Sequence, residues 1–295
     1  MPYELIALDL DDTLLHTDLG ISEANRSALK EAHGNGAKIV LASGRNLVSM
    51  EKYSAFLGLT GPDDYIIASN GAQIIATATE RVLYERTLPP ETCRLAAQAL
   101  RAVGLPWQIY VNGTIYYSEG NDWIKEDSRL SGMPNEPIGD VESFFTEGQI
   151  KFVAPGDADK MPARLAEVAR LLSGKAEVLV SKPYFLEVLP LGVDKGEALR
   201  VLAETLGIPL ERCIACGDAM NDLGMLKTAG LGCAPANATS IVKEAAGYIS
   251  ELTNDQDFVA DIVRRFVLPG GPGKVASPKG ARLDGGASGR HPGSA

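Results

Sequence analysis

The order of apolar runs along the chain predicts an α/β fold: a doubly wound, Rossmann-like parallel sheet interrupted by an inserted α+β domain. Three observations carry this expectation. Short apolar runs alternate with helical patterns at both ends of the sequence, as in sheets covered by helices on two faces. Between about Tyr84 and Glu187 that alternation gives way to paired β-like runs, and most of the aromatic residues fall there, Trp107 and Trp123 included. The first apolar run, Leu5-Ile6-Ala7-Leu8, ends at once in a cluster of acids, Asp9-Leu10-Asp11-Asp12-Thr13.

The elements follow in order. Tyr3–Leu8 reads as the first strand. Ser22 fits an N-cap for a helix through about Ala32, with Gly34 and Gly36 as its stop. Lys38–Ala42 is a second strand, Asn46–Leu57 a helix ended by Gly58, and Tyr65–Ala68 a third strand. Asn70-Gly71 suits a tight hairpin turn into Gln73–Ile75. The middle segment holds a helix at Glu91–Val103, paired strands at Trp107–Val111 and Thr114–Tyr117, and then a strand at Gln149–Ala154. A helix at Met161–Leu172 and strands at Glu177–Val180 and Tyr184–Val188 complete it. After Pro190 the alternation resumes: a helix from Lys195, a strand at Cys213–Cys216, a helix from about Ala219 and a last helix near Asp255–Val267. The division expected is a core of residues 1–84 and 188–268 around an insertion of 85–187. Beyond Leu268 a Gly/Ser/Pro-rich stretch cannot bury enough apolar surface to fold, so 269–295 is predicted to be a disordered tail.

Length and composition narrow the function. A chain of 295 residues can hold two modest domains. A formal net charge of −10, with no Lys/Arg cluster in the body of the chain, argues against a nucleic-acid surface. No segment reaches about 18 uninterrupted apolar residues, and Asp9 arrives before any long apolar stretch. Neither a signal peptide nor a membrane span is expected, and the protein is read as cytoplasmic. Four cysteines are too few for a disulfide scaffold. Cys213-Ile214-Ala215-Cys216 spells C-x-x-C, but in a strand residues three apart face opposite sides, so the pair is read as packing. His16, His33 and His291 are scattered and suggest no histidine chemistry.

The chemistry begins at the end of the first strand. Asp9 and Asp11, two apart, can share a face of an extended segment. Two carboxylates there raise each other's pKa unless a cation sits between them, which suits one as nucleophile and the other as proton donor. The same residues also fit an acidic cap at a strand-to-turn junction. Ser43-Gly44-Arg45 follows the second strand, where a hydroxyl and successive amides entering a helix can hold phosphate oxygens, or merely cap it. Asp194-Lys195-Gly196-Glu197 reads as a capping box, Asp194 at the N-cap and Glu197 three residues on. Lys195 in the first turn opposes the helix dipole unless it meets an anion. Gly217-Asp218-Ala219-Met220-Asn221-Asp222 follows the Cys213–Cys216 strand. On a starting helix Asp218 and Asp222 share a face with Asn221 beside them, and with the first acids they make an oxygen-rich site of the kind that holds Mg²⁺.

Together these segments, in this order, resemble the haloacid dehalogenase superfamily of phosphohydrolases, and within it the Cof-type branch with a large α/β cap of class IIB. Asn70-Gly71-Ala72 and Gly192-Val193-Asp194-Lys195-Gly196 join the match, which spans residues 1 to about 268. The resemblance implies that Asp9 is the nucleophile and a Mg²⁺ ligand. It implies that Asp11 is the general acid/base, offering its backbone carbonyl to the metal, and that Asp218 is the third protein ligand. Ser43, Gly44 and Lys195 would hold phosphoryl oxygens with Asn221 near them, Asp222 would support the metal from behind, and Arg45 is a possible substrate contact. Family members often carry Gly where Asp12 stands, and Met-Gly before the Asn-Ala that is here Asn237-Ala238. Cys233-Ala234-Pro235-Ala236 precedes that pair here, and Asn237 is left out of the catalytic set.

The expected activity is Mg²⁺-dependent hydrolysis of small phosphomonoesters through an aspartyl phosphate. Sugar phosphates come first among substrates, followed by phosphorylated cofactor precursors such as flavin-pathway intermediates or pyridoxal phosphate. The expected partner is thus a small phosphorylated metabolite, with no nucleic acid and no membrane, and the chain a monomer or weak homodimer. A phosphomutase or phosphotransferase of the same superfamily is the alternative. A receiver-like signalling module fits less well, because receivers are small single domains.

Overall fold

The structure, a computed structural model, describes residues 3–270; the expectation for residues 271–295 of the tail lies outside them. Fourteen strands are formed among the described residues. The first five are β1 (Leu5–Leu8), β2 (Lys38–Ala42), β3 (Tyr65–Ala68), β4 (Gln73–Ala76) and β5 (Val82–Glu85). Next come β6 (Gln108–Val111), β7 (Thr114–Tyr117), β8 (Asn135–Pro137), β9 (Phe152–Pro155), β10 (Glu177–Lys182) and β11 (Phe185–Leu189). The last three are β12 (Cys213–Cys216), β13 (Leu231–Ala234) and β14 (Tyr248–Ile249).

Eight of them form one sheet in the order β14-β13-β12-β1-β2-β3-β4-β5. From β14 to β3 every pairing is parallel, and β4 and β5 add an antiparallel edge. The chain winds outward from β1 through β2 and β3, then returns to pair β12 on the other side of β1. The strand order therefore reverses between β1 and β12, and such a switch point opens a crevice beyond the carboxyl ends of the strands.

Strict alternation along each central strand sends side chains to two separate cores, which is why these strands read as continuous apolar runs. Ile6, Leu8, Ile39 and Leu41 pack under the helices Glu23–Gly34 and Phe258–Ile262. Leu5, Ala7, Val40 and Ala42 pack under the helix Lys195–Leu206 on the opposite face. Cys213 joins the second core and Cys216 the first, as the C-x-x-C spacing predicted, and all four cysteines are buried and free.

The six remaining strands form a second sheet in the order β10-β11-β9-β6-β7-β8. Its own core includes Trp107, Phe145 and Phe152. The chain leaves the first sheet after β5 and comes back after β11. The two bodies touch where Val48, on the helix Leu47–Leu57, packs with Ile115, Ile124 and Met133. Among the described residues no helix is long and apolar enough to cross a membrane.

The local signals account for most boundaries. Ser22 and Asn46 cap their helices by accepting from the Asn25 and Ser49 amides, and Gly58 ends the second helix in the left-handed region. The β3–β4 hairpin turns through Ser69, Asn70 and Gly71, all at positive φ. A side chain at Gly71 would also collide with the Asp194 backbone, so this turn can lie against the start of the Lys195–Leu206 helix only as glycine. The first strand coincides with the apolar run Leu5–Leu8 and begins two residues later than the Tyr3 start expected for it. The strands β5, β8, β13 and β14, the last of only two residues, were not anticipated.

Candidate active site

Each acid of the site follows a strand at the switch point. Asp9 stands directly after β1, its amide bonded to the Cys216 carbonyl at the end of β12. Asp218 comes two residues after β12 and Ser43 directly after β2. Lys195 enters from the first turn of its helix, where Asp194 caps as predicted, accepting from the Gly196 and Glu197 amides at 2.7 and 3.1 Å.

Lys195 meets the anion that its position called for. It is fully buried, and its Nζ donates to Asp9 Oδ1 at 2.6 Å and to Asp222 Oδ1 at 2.7 Å. Burial alone would lower its pKa, but the charges of Asp222 and Asp9 outweigh it and hold the ammonium above its usual range. Asp9, Asp218 and Asp222 offer carboxylate oxygens within 4.8 Å of one another. One lysine thus faces three buried acids. Burial first, then repulsion from Asp222, pushes Asp9 well above the ordinary carboxylate range in spite of Lys195. Asp218 is pushed up to about 7, by burial and by Asp222 and Asp12, against a 2.8 Å hydrogen bond from Thr13 Oγ1.

That charge imbalance is the test of whether a cation fits. The donor set is all hard oxygen, it carries one negative charge more than Lys195 and a single further proton can balance, and it sits at the crevice. Asp9 and Asp218 offer the carboxylates that would hold the metal, with the Asp11 backbone carbonyl the further ligand that the resemblance implies. Asp222 is already committed: its Oδ1 takes Lys195, while its Oδ2 accepts from the Asp218 and Ala219 amides at 3.0 Å each. A side chain at Gly217 would occupy the space of the Asp222 carboxylate, so glycine there lets the loop fold back on itself. A cavity of about 410 Å³ lined by Asp12, Asp218, Asn237 and Asn254, among others, opens onto Asp218.

Here the structure corrects one sequence expectation. Asp218 and Asp222 do not share a helix face: Ala219 is extended, Met220–Asp222 form a single tight turn, and the helix begins only at Leu223. The two acids meet because Asp222 reaches back to bond the Asp218 amide. Nor do Asp9 and Asp11 act as a pair on one extended face. The chain kinks after Leu10, Asp12 has φ 59°, and Asp11 turns to a different cation. Arg45 Nε and Nη2 hold its two oxygens at 2.8 and 2.6 Å. Although burial would raise the Asp11 pKa, Arg45 outweighs it, with Lys182 and Lys195 adding to the effect, so the carboxyl is lowered. Arg45, considered for substrate, is engaged with Asp11 here.

The remaining expected residues gather around these. Ser43 is buried, and its Oγ accepts from the Arg45 amide at 3.2 Å. Asn221 Nδ2 donates to Asn70 Oδ1 at 3.1 Å. Asn237 bonds the Asp12 carbonyl and the Asn254 amide, outside the acid cluster. Three residues were not anticipated in these roles: Thr13 on Asp218, and Lys151 and Glu187 from the second sheet. The last two did leave a signal, each being a lone charge inside an apolar, strand-like run.

The comparisons with known proteins agree with this geometry. The haloacid dehalogenase-like hydrolase family matches residues 6–263. The chain belongs to the haloacid dehalogenase superfamily. It is 33% identical over 266 residues to the 5-amino-6-(5-phospho-D-ribitylamino)uracil phosphatase YcsE of Bacillus subtilis, covering 90% of this chain and 96% of that protein. To an HMP-PP phosphatase of Yersinia pseudotuberculosis it is 32% identical over 249 residues, covering 82% and 87%. A solved haloacid dehalogenase-like hydrolase from Bacteroides thetaiotaomicron matches with a TM-score of 0.82 at 36% identity, covering 89% of this chain and 99% of that one. The chain is accordingly a phosphatase of this superfamily, with the doubly wound core and large cap of its Cof-type branch.

Proposed function

We propose that the protein is a Mg²⁺-dependent phosphatase that hydrolyses small phosphomonoesters through an aspartyl phosphate on Asp9. The observation that carries this reading is the buried Lys195, bonded at once to Asp9 and Asp222 beside Asp218 at the switch point. A lysine spanning two carboxylates next to a third leaves surplus negative charge that a cation would offset, and with that cation bound a dianionic phosphoryl group can enter beside it.

In the first half-step Asp9 Oδ attacks phosphorus and the bond to the leaving oxygen breaks, with Asp11 supplying the proton to that oxygen. In the second, Asp11 takes a proton from water, whose oxygen attacks phosphorus and frees Asp9. When bound, Mg²⁺ supplies positive charge that neutralises the acids and the phosphoryl oxygens. Lys195, the Ser43 hydroxyl and the Gly44 amide hold the equatorial oxygens, where charge stabilisation helps such transition states most. Asp222 keeps Lys195 and the Asp218 loop in place. Asp11 is charged while Arg45 grips it, so its turn as an acid requires that grip to loosen when substrate arrives.

We read residues 1–84 and 188–268 as the catalytic core and 85–187 as a cap that encloses the leaving group and excludes water. The two relatives above are named for phosphorylated metabolites, which supports a substrate of that class here, and sugar phosphates remain within it. The test is a panel of phosphometabolites with Mg²⁺, reading phosphate release, with added alcohols as alternative acceptors. Hydrolysis of one or more small monoesters supports the reading. Transfer to the added alcohols in preference to water would favour a phosphotransferase, and no release from any of them would overturn the assignment.

A further inference from the structure

The second sheet sends two charged side chains into the phosphoryl-holding loops of the core. Lys151, just before β9, and Glu187, in β11, are diagonal neighbours across a strand pair, and both are buried. Lys151 Nζ lies 3.2 Å from Glu187 Oε2 and donates to the Gly44 carbonyl at 2.8 Å. Glu187 Oε2 also accepts from Asn70 Nδ2 at 3.2 Å, and Asn70 Oδ1 accepts from Asn221. The Asn70 amide in turn bonds the Ser43 carbonyl. Gly44 is gripped from two sides, because Asn70 Oδ1 lies 2.9 Å from where a Cβ would stand and Lys151 holds its carbonyl.

A buried ion pair is weak support for stability, since desolvation offsets much of the attraction. Here its reach matters more. Resting on the reading above, we propose that Lys151 and Glu187 are cap-borne positioning residues that fix Ser43–Gly44 and Asn221 only while the cap is seated on the core. Separating the two bodies breaks the Lys151–Gly44 and Glu187–Asn70 contacts together and leaves both loops held only by the core's own Asn70–Asn221 and Asn70–Ser43 bonds. Phosphoryl alignment is thereby tied to closure through two side chains that bind no part of the leaving group.

That last point sets the test. Full-length wild type, Lys151→Met, Lys151→Arg and Glu187→Gln are assayed with saturating Mg²⁺ on an aryl phosphate and on the best metabolite of the panel. Lys151→Met is expected to lower kcat on the order of 10- to 100-fold, as loop misplacement does. The factor should be the same for both substrates and KM little changed. Lys151→Arg should recover part of the loss, and Glu187→Gln should fall between. Amide hydrogen exchange across 43–46 and 69–71, which needs no substrate, should quicken in Lys151→Met and Glu187→Gln. A loss confined to the metabolite, or a rise in KM alone, would make these residues leaving-group contacts and overturn the proposal. Unchanged kcat with unchanged exchange would overturn it too. If Lys151→Met does not fold, Glu187→Gln and Lys151→Arg decide by the same readings. An inactive wild type would fail the phosphatase reading, and the exchange data would still judge the loop contacts.

Discussion

Arg45 holds both carboxylate oxygens of Asp11 in a forked pair, at 2.8 and 2.6 Å, while the neighbouring Asp9 is left to Lys195. The two acids of one motif are thus given separate cations. The planar guanidinium fixes the direction as well as the charge of Asp11, which a lysine at that position could not do. Arg45→Met should lower kcat on the order of 10- to 100-fold, the range of a misdirected general acid/base. Arg45→Lys should lose less. Steady-state kinetics on an aryl phosphate check this, and a rise in KM with kcat intact would instead mark Arg45 as a substrate contact.

Lys195 separates Asp9 from Asp222 with no water-exposed surface of its own. Removing one partner from a buried charged set costs about 3–5 kcal/mol. Lys195→Met should therefore melt well below wild type when metal-free, and Mg²⁺ should raise its melting temperature by more than it raises that of wild type. Thermal unfolding with Mg²⁺ and with EDTA measures both. Equal metal responses would show that Lys195 is not balancing the same charge as the metal.

The raised carboxyls give the metal-free protein a definite pH dependence. The folded state binds protons at Asp9 and Asp218 more tightly than the unfolded chain does. The stability this adds is fully present below the unfolded value of about 4 and is lost as pH rises through the folded one. For Asp218 that value is about 7. Metal binding needs the deprotonated forms, so the gain from Mg²⁺ should grow across the same window. Urea unfolding near the two ends of the window, with and without Mg²⁺, tests this, and Asp218→Asn should flatten the trend. A gain from metal that is equal at both ends would contradict it.

Thr13 was not foreseen in the site, yet its hydroxyl donates to Asp218 Oδ1 at 2.8 Å. A partner that orients a metal-holding carboxylate typically contributes 10- to 100-fold in affinity. Thr13→Val keeps the shape and removes the donor. It should raise the Mg²⁺ concentration for half-maximal activity about 10-fold, with kcat at saturating metal nearly unchanged. A fall in kcat that excess Mg²⁺ does not repair would assign Thr13 another role.

The sequence made the sheet legible because its strands are buried on both faces and read as unbroken apolar runs, and Ser22 and Asp194 supplied capping signals. It also placed Lys195 correctly by a conflict: a cation at a helix start needs an anion, and Asp9 with Asp222 provides one. What it could not supply was the path of the loops. The Asp218–Asp222 spacing was read as a helix face because four residues match a turn. The loop instead folds onto Gly217, a choice made by backbone bonds to the Asp222 carboxylate. The short strands β13 and β14 lacked a periodic pattern long enough to read. Lys151 and Glu187 stand 107 and 117 residues from their core partners Gly44 and Asn70, a separation that only the seating of the second sheet closes.

The most direct test of the account is a chemical trap at Asp9. Enzyme mixed with substrate and Mg²⁺ is quenched during turnover, reduced with borohydride and digested, and the peptides are read by mass spectrometry. An acyl phosphate is reduced to the alcohol, so the account predicts homoserine at position 9, formed only with substrate present and absent in Asp9→Asn. Turnover with Asp9 unmodified under every quench time, or an Asp9→Asn protein that is folded and active, would contradict it.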